Sequence, residues 1–110
     1  MKKIIFCLLL LASCQSSPKT PPGILDQESM INILIDIHVA EAKANSAGLR
    51  SQDSVHVYYK VLEKDVFARH STDSTRYHNS YRYYMENIKE MDQIYAAVVD
   101  SLSLRENSIK

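Results

Sequence analysis

The stretch that decides the fold is residues 26–47, which read DQESMINILIDIHVAEAKANSA. At about 100° per residue, the apolar side chains cover most of a helix and leave only a narrow polar stripe. Asp26 is a favourable N-cap, and Gly48 suits the position after the last turn. Leu25 and Met30 can pack together as a hydrophobic staple across the cap. The sequence therefore predicts a helix over residues 26–47 that lies at the centre of its domain.

Turn-forming residues are scarce in most of the chain. After residue 23 there is no proline and a single glycine, Gly48. A β-sandwich needs more turn residues, and a phosphate-binding loop needs more glycine. The 13 basic and 13 acidic residues balance, which excludes a nucleic-acid binder that works through bulk charge. We predict an all-α domain over residues 24–110, a small bundle of three or four helices.

The second element permits two interpretations. Alternating apolar side chains over residues 55–61 fit a strand, whereas a 3.6-residue period over residues 55–67 fits a helix. We favour the helix because its period extends further along the chain. Ser51 or Asp53 is expected to cap it.

A third apolar pattern follows a polar break at residues 70–74. It has the alternating spacings of three and four that are typical of a heptad seam, formed by Tyr77, Tyr81, Tyr84, Ile88, Met91, Tyr95, Val98 and Leu102. This seam permits one helix over residues 73–104. A break at Asn87, itself a good cap, would give two helices instead.

The N-terminal residues 1–13 have the features of a secretory signal peptide. Two lysines precede nine apolar residues, a run too short for the roughly 20 residues that cross a bilayer. The segment Leu11-Ala12-Ser13-Cys14 resembles the lipobox of bacterial lipoproteins. That resemblance implies cleavage before Cys14, a diacylglyceryl group on its thiol and usually an acylated amine. The alternative is an ordinary signal peptide that contains a cysteine.

Residues 14–23 are then the lipidated cysteine and a proline-rich tether that links the membrane to the domain. Lipoproteins are sorted by the residues after the cysteine. Gln15 stands where an aspartate favours retention in the inner membrane, and no acidic cluster for surface export follows. By resemblance, the chain is expected at the periplasmic face of the outer membrane.

The chain resembles a family of small Bacteroidota lipoproteins, domain of unknown function 4296. The most specific piece is the run Asp36-Ile37-His38-Val39-Ala40-Glu41. Further matching positions are Ile24-Leu25-Asp26, Met30, Ile33-Leu34-Ile35, Ala42, Tyr58-Tyr59, Phe67, Ser80, Tyr83-Tyr84, Ile94-Tyr95 and Val98. The family often has Phe at the position of Tyr77 and Pro near Ile88, and this chain differs at both. The resemblance implies a helical fold and an envelope location but no reaction.

The sequence favours no catalytic, metal or cofactor chemistry. His38 and Glu41 share a helix face, yet no third ligand follows at a recognisable metal spacing. No serine stands in a nucleophile-elbow motif. We therefore expect no enzymatic activity, no metal and no cofactor.

Candidate interaction residues are polar or aromatic side chains, and Tyr58 and Tyr83 are chosen because they lie off the main apolar stripes. Tyr77, Tyr81 and Tyr84 lie on the seam and are expected in the core. Glu41 falls in the middle of the apolar face of the first helix, so it must be neutral, paired or near the end of the core. The helix ends a few residues later, which fits the last alternative, but we favour a partner, either a seam tyrosine or Arg82, with His38 adjacent. We select as the candidate interaction surface Tyr58, Tyr83, Asp36, His38 and Glu41.

The predicted function is that of an interaction or accessory module, lipid-anchored through Cys14 and facing the periplasm. The predicted partners are the membrane and either another envelope protein or a second copy, with no nucleic acid. The alternative is a chaperone-like lipoprotein that binds a peptide or small ligand.

Overall fold

Four helices build the domain in a computed structural model, which describes the backbone of residues 20–109 and the side chains of residues 20–106. They are α1 (Gln27–Asn45), α2 (Gln52–Arg69), α3 (Ser74–Glu86) and α4 (Ile88–Ile109). α1 packs against both α2 and α4, and α3 packs against α4. No strand occurs within residues 20–109, which confirms the all-α prediction. The predicted signal peptide, Cys14 and most of the tether lie outside the described residues.

α1 is central, as its sequence predicts. The Asp26 carboxylate accepts a hydrogen bond of 2.8 Å from the Ser29 N–H and caps the helix. Leu25 and Met30 are both buried in the core on either side of this cap. The helix ends at Asn45, two residues before the predicted boundary, and Gly48 at φ 72° lies in the link to α2. The described part of the chain has no helix that combines the length and apolarity required to cross a bilayer.

α2 is a helix and not a strand, with Ser51 as its N-cap. The alternation of apolar residues over 55–61 does not arise from a strand. Val55 and Tyr59 face inward, whereas Val57 and Val61 are 64% and 62% exposed. The helix therefore carries a second apolar stripe on its outer side, which imitates the period of a strand.

The polar break after α2 is a tight C-terminal turn. The Thr72 N–H donates to the Phe67 carbonyl at 2.9 Å, and the Ser71 N–H donates to the Ala68 carbonyl at 3.1 Å. These are the two bonds of a Schellman motif, with Ser71 in the left-handed position at φ 54°. Asp73 then caps α3 through the Arg76 N–H.

The heptad seam is divided at Asn87, as the second of its two interpretations predicts. At φ −120° and ψ 71°, Asn87 leaves the helical conformation, and its side-chain amide donates to the Tyr83 carbonyl at 2.7 Å. Ile88, the first residue of α4, is 56% exposed, whereas the later seam residues Met91 and Val98 are buried. Of the eight seam residues, all of them in the described part of the chain, Ile88 alone is exposed.

A pair of side chains from α3 holds the peptide groups of Leu25. The Leu25 N–H donates to Ser80 Oγ at 2.8 Å, and the Tyr84 hydroxyl donates to the Leu25 carbonyl at 2.7 Å. The Ser80 hydroxyl in turn donates to the Arg76 carbonyl at 2.7 Å. Ser80 and Tyr84 are buried, so water cannot replace these partners. We call this arrangement the Leu25 clamp.

The chain enters the clamp through a β-turn. The Ile24 N–H donates to the Pro21 carbonyl at 3.1 Å, and Gly23 has φ 81°. Proline second and glycine third are the residues that a type II turn favours. The last residues of the predicted tether thus fold into a turn that leads into the domain.

We predict that Ser80→Ala lowers the free energy of unfolding by about 1–3 kcal/mol, because it leaves the buried Leu25 N–H without an acceptor. Ser103→Ala, the same change at an exposed position of α4, is the control. It is expected to be neutral or to stabilise by up to about 0.5 kcal/mol through helix propensity. Denaturant unfolding of the two variants measures the difference, and equal midpoints would contradict the importance of the clamp.

Candidate functional site

A cavity of about 240 Å³ opens where side chains of all four helices meet. Its lining is aromatic and polar, and consists of Leu34, Ile37, His38, Glu41, Tyr59, Glu63, Tyr77, His78, Tyr81 and Tyr95. The predicted pair of His38 and Glu41 lies here, with 3.7 Å between His38 Nδ1 and Glu41 Oε2. Four of the eight remaining lining residues are tyrosines.

The buried carboxylate of this region is Glu63 and not Glu41. Glu63 is 8% exposed and accepts the Tyr59 hydroxyl at 2.9 Å. Its other oxygen lies 3.0 Å from Lys60 Nζ, so both oxygens have partners. This pairing is what allows a carboxylate to be buried at the edge of the core.

The favoured partner of Glu41, a seam tyrosine or Arg82, is wrong. Half of its side-chain surface is exposed, and its ion-pair partner is His38 rather than a seam tyrosine or Arg82. The helical position of Glu41 does point between Leu34 and Ile37, but the cavity begins at this level of the bundle. Water therefore reaches the carboxylate from the cavity side, and no buried partner is required.

Three tyrosines of the cavity, Tyr59, Tyr77 and Tyr95, have raised pKa values and keep their protons at neutral pH. Burial raises the pKa of Tyr95 to about 12, with a further contribution from its 3.0 Å hydrogen bond to the Tyr81 hydroxyl. Burial also raises the pKa values of Tyr59 and Tyr77, and the negative charges of Glu63 and Glu41 act in the same direction. These groups can donate and accept hydrogen bonds, but none is prepared to act as a phenolate.

Metal binding has little basis in this arrangement. Within residues 20–106, no three His, Cys, Asp or Glu side chains are grouped so that they could hold an ion. His38 and Glu41 offer two ligands, whereas a structural or catalytic zinc site takes at least three from the protein.

Asp36 is engaged within the domain. Its Oδ2 lies 2.7 Å from His70 Nε2 and 3.5 Å from Arg69 Nη1, both at the C-terminal end of α2. Arg69 also pairs with Asp65 at 3.0 Å. This cluster ties the middle of α1 to the end of α2.

A second surface feature lies on the outer side of α2. Leu49, Val57 and Val61 are exposed, and Tyr58 is half-buried beside them. Together with Asp53 and Ser54 they line an open groove of about 590 Å³. We call the four residues Leu49, Val57, Tyr58 and Val61 the α2 outer face.

The five predicted interaction residues do not form one surface. His38 and Glu41 line the cavity, Tyr58 belongs to the α2 outer face, and Asp36 pairs with the end of α2. Tyr83 packs edge-on against Tyr84, with 5.0 Å between ring centroids, and joins the edge of the core.

Sequence reasoning did not select Val57 and Val61 as surface residues, nor Glu63 as the buried carboxylate. The strand-like alternation over residues 55–61 was the available signal for the two valines, because a helix with apolar residues on both sides produces it. No comparable signal marked Glu63, which lies beside Leu62 and Lys64 in an ordinary helical pattern.

Comparison with known families identifies the domain. The family model described as "Domain of unknown function (DUF4296)" matches residues 21–108, which is nearly all of the described chain. The chain belongs to the DUF4296 family. No curated protein matches the chain significantly. No solved structure does so either.

Several stretches that carry the resemblance of this chain to DUF4296 meet at the Leu25 clamp. Leu25 and Asp26 come from the first such stretch, and Ser80 and Tyr84 come from α3. The matched region begins at Pro21, where the turn into the clamp begins. In this chain, the side chains at these positions stabilise the fold through buried hydrogen bonds.

We predict that Glu63→Ala and Glu41→Ala differ in their effects on stability. Removing the Glu63 carboxylate leaves the half-buried Tyr59 hydroxyl without its acceptor, at a cost of about 1–3 kcal/mol, whereas the exposed Lys60 ammonium remains hydrated. Glu41→Ala, the same change on the exposed side of the cavity, is expected to alter stability by less than about 0.5 kcal/mol. Urea unfolding at neutral pH measures both. A larger loss from Glu41→Ala would show that its carboxylate has a buried partner.

Proposed function

We propose that this DUF4296 protein is a lipid-anchored module of the cell envelope that docks a protein through the α2 outer face. The lipid is carried by Cys14, and the domain faces the periplasm at the outer membrane. Its role is binding and not catalysis.

The N-terminal sequence supports the anchor. Two lysines, a nine-residue apolar run and a cysteine after small residues match the order of a lipoprotein signal. Two or three acyl chains hold a protein stably on a bilayer, whereas one chain holds it marginally. The turn at residues 21–24 then joins the tether to the Leu25 clamp. The buried hydrogen bonds of the clamp therefore hold the domain to the end of the tether.

The observation that carries the docking role is the exposure of Val57 and Val61. Both remain about two-thirds exposed, although the core of the domain is complete without them. Burial of one such side chain contributes roughly 1.5–3 kcal/mol, so covering the α2 outer face would favour association. Tyr58 adds an aromatic ring with a polar tip, a residue type that is enriched in protein interfaces.

A second candidate function is the binding of a small ligand or peptide in the tyrosine-lined cavity. Its support is the convergence of tyrosine hydroxyls, His38 and Glu41 around about 240 Å³ of open space. The molecules that stay bound to the domain after it is isolated from detergent-solubilised envelopes distinguish the two functions. A stoichiometric protein supports docking, whereas a retained peptide or glycan with no protein supports the cavity.

The anchor is tested at the N-terminus. Mass spectrometry of the mature chain from its native host is expected to find acylated Cys14 as the first residue. Cys14→Ala is expected to leave the precursor uncleaved, while Cys7→Ala, the same change inside the signal, is processed normally. An unmodified Cys14, or cleavage at another position, contradicts the anchor.

Docking is tested by capture from detergent-solubilised envelopes with the full chain as bait. Val57→Glu places a charge on the α2 outer face and is expected to reduce the bound partner at least tenfold, since an unpaired charge is costly to bury. Val99→Glu is the matched control, because Val99 on α4 is 59% exposed and lies outside this face. Equal capture by the two variants would contradict docking through α2.

A further inference from the structure

Two unpaired charges flank the apolar centre of the α2 outer face. Asp53 lies in the first turn of α2 and lines the groove, and Lys64 lies one turn beyond Val61. Other charged residues of α2 are engaged, since Lys60 pairs with Glu63 and Arg69 with Asp65. Among the residues that the structure describes, no ion pair involves Asp53 or Lys64.

Asp53, Val57, Val61 and Lys64 lie on one line along the helix. Their spacings of four, four and three keep them on one side of α2. The two charges are eleven residues apart, or about 16 Å at the rise of an α-helix. The stripe therefore runs from an acidic end through two exposed valines to a basic end.

Two copies of this stripe are complementary when they run antiparallel, because the acidic end of each then faces the basic end of the other. We propose that the α2 outer face docks onto the same face of a second copy of this chain, with the two α2 helices antiparallel. The two-fold axis passes between Val57 and Val61, so Val57 of one copy meets Val61 of the other. Asp53 of each copy then faces Lys64 of the other, and symmetry repeats every contact.

This inference rests on the proposed docking function, because it names the partner of the same face. The charges favour a second copy over an unrelated protein. In the antiparallel dimer, each Asp53 and each Lys64 gains an oppositely charged partner from the other copy. In a parallel arrangement the like charges would lie opposite each other, which is unfavourable. The pairing thus selects one orientation.

The contact is small compared with a standard interface of about 800 Å² per partner. We therefore expect a weak dimer in dilute solution. Two copies anchored in one membrane have a much higher effective concentration, which strengthens association without any new contact.

The first experiment is a charge swap in the full chain, purified in a mild detergent and followed by native mass spectrometry over a concentration series. Asp53→Lys and Lys64→Glu each replace two attractive contacts with two repulsive ones. Each is expected to weaken dimerisation roughly tenfold, because an exposed pair contributes only a few-fold. The double variant is expected to restore the wild-type dissociation constant to within about threefold.

Lys89→Glu is the control, a charge reversal at an exposed position of α4, and it is expected to leave dimerisation unchanged. All four substituted chains are checked for wild-type helicity by circular dichroism. A double variant that is as weak as the single variants would overturn the pairing of Asp53 with Lys64.

The second experiment tests the orientation by disulfide trapping. Chains carrying Val57→Cys are mixed with chains carrying Val61→Cys, and the parent chain sets the background from any Cys7 or Cys14 thiol that is neither removed nor acylated. The antiparallel pair is expected to give mainly the mixed disulfide between the two variants. Mainly Val57→Cys homodimers would indicate parallel helices and overturn the proposal.

These results separate the inference from the function on which it rests. A chain that stays monomeric at all concentrations, yet captures an envelope protein that Val57→Glu loses, overturns self-docking and leaves the docking function standing. Dimerisation of a chain whose Cys14 proves unmodified supports self-docking and overturns the anchor.

Discussion

The Leu25 clamp is the interaction on which the rest of the structure depends. Its side chains lie 55 and 59 residues away in the sequence, so it closes the domain by joining the segment before α1 to α3. Both peptide groups of Leu25 would be costly to bury unpaired. Once they are fixed, Asp26 stands at the position where its carboxylate can cap α1. The clamp thus sets the start, and with it the rotational phase, of the most apolar helix.

The apolar circumference of α1 then determines what surrounds it. Such a helix needs neighbours on more than one side, and α2 and α4 supply them. α3 is joined to the bundle by the clamp, by α4 and by the tilted contact of Tyr77 with Phe67, whose ring centroids are 5.0 Å apart. Tyrosines line the cavity around His38 and Glu41, since a ring can pack against the core while its hydroxyl reaches water or another hydroxyl.

Features that depend on one segment were predictable from the sequence. The cap at Asp26, the helical state of α2 and the possible break at Asn87 follow from local spacing and cap chemistry. Features that depend on how two helices face each other were not. Glu41 lies in the middle of an apolar face by angle, yet it is exposed because the neighbouring helices leave a cavity there. Glu63 is buried because Tyr59 and Lys60 satisfy it, and such pairing becomes visible only when side chains are placed.

The α2 outer face takes no part in these packing constraints. Its apolar residues are therefore not explained by the stability of the domain. Val57 and Val61 contribute little to folding, because most of their surface stays in water in the isolated domain. Exposed single apolar residues are ordinary, but two on one helical line, with an aromatic neighbour and opposite unpaired charges at the ends, form a patterned surface. A surface of this size holds a partner weakly unless both molecules are confined together. The anchor proposed at Cys14 would provide that confinement, so the proposed docking does not require a contact larger than this face.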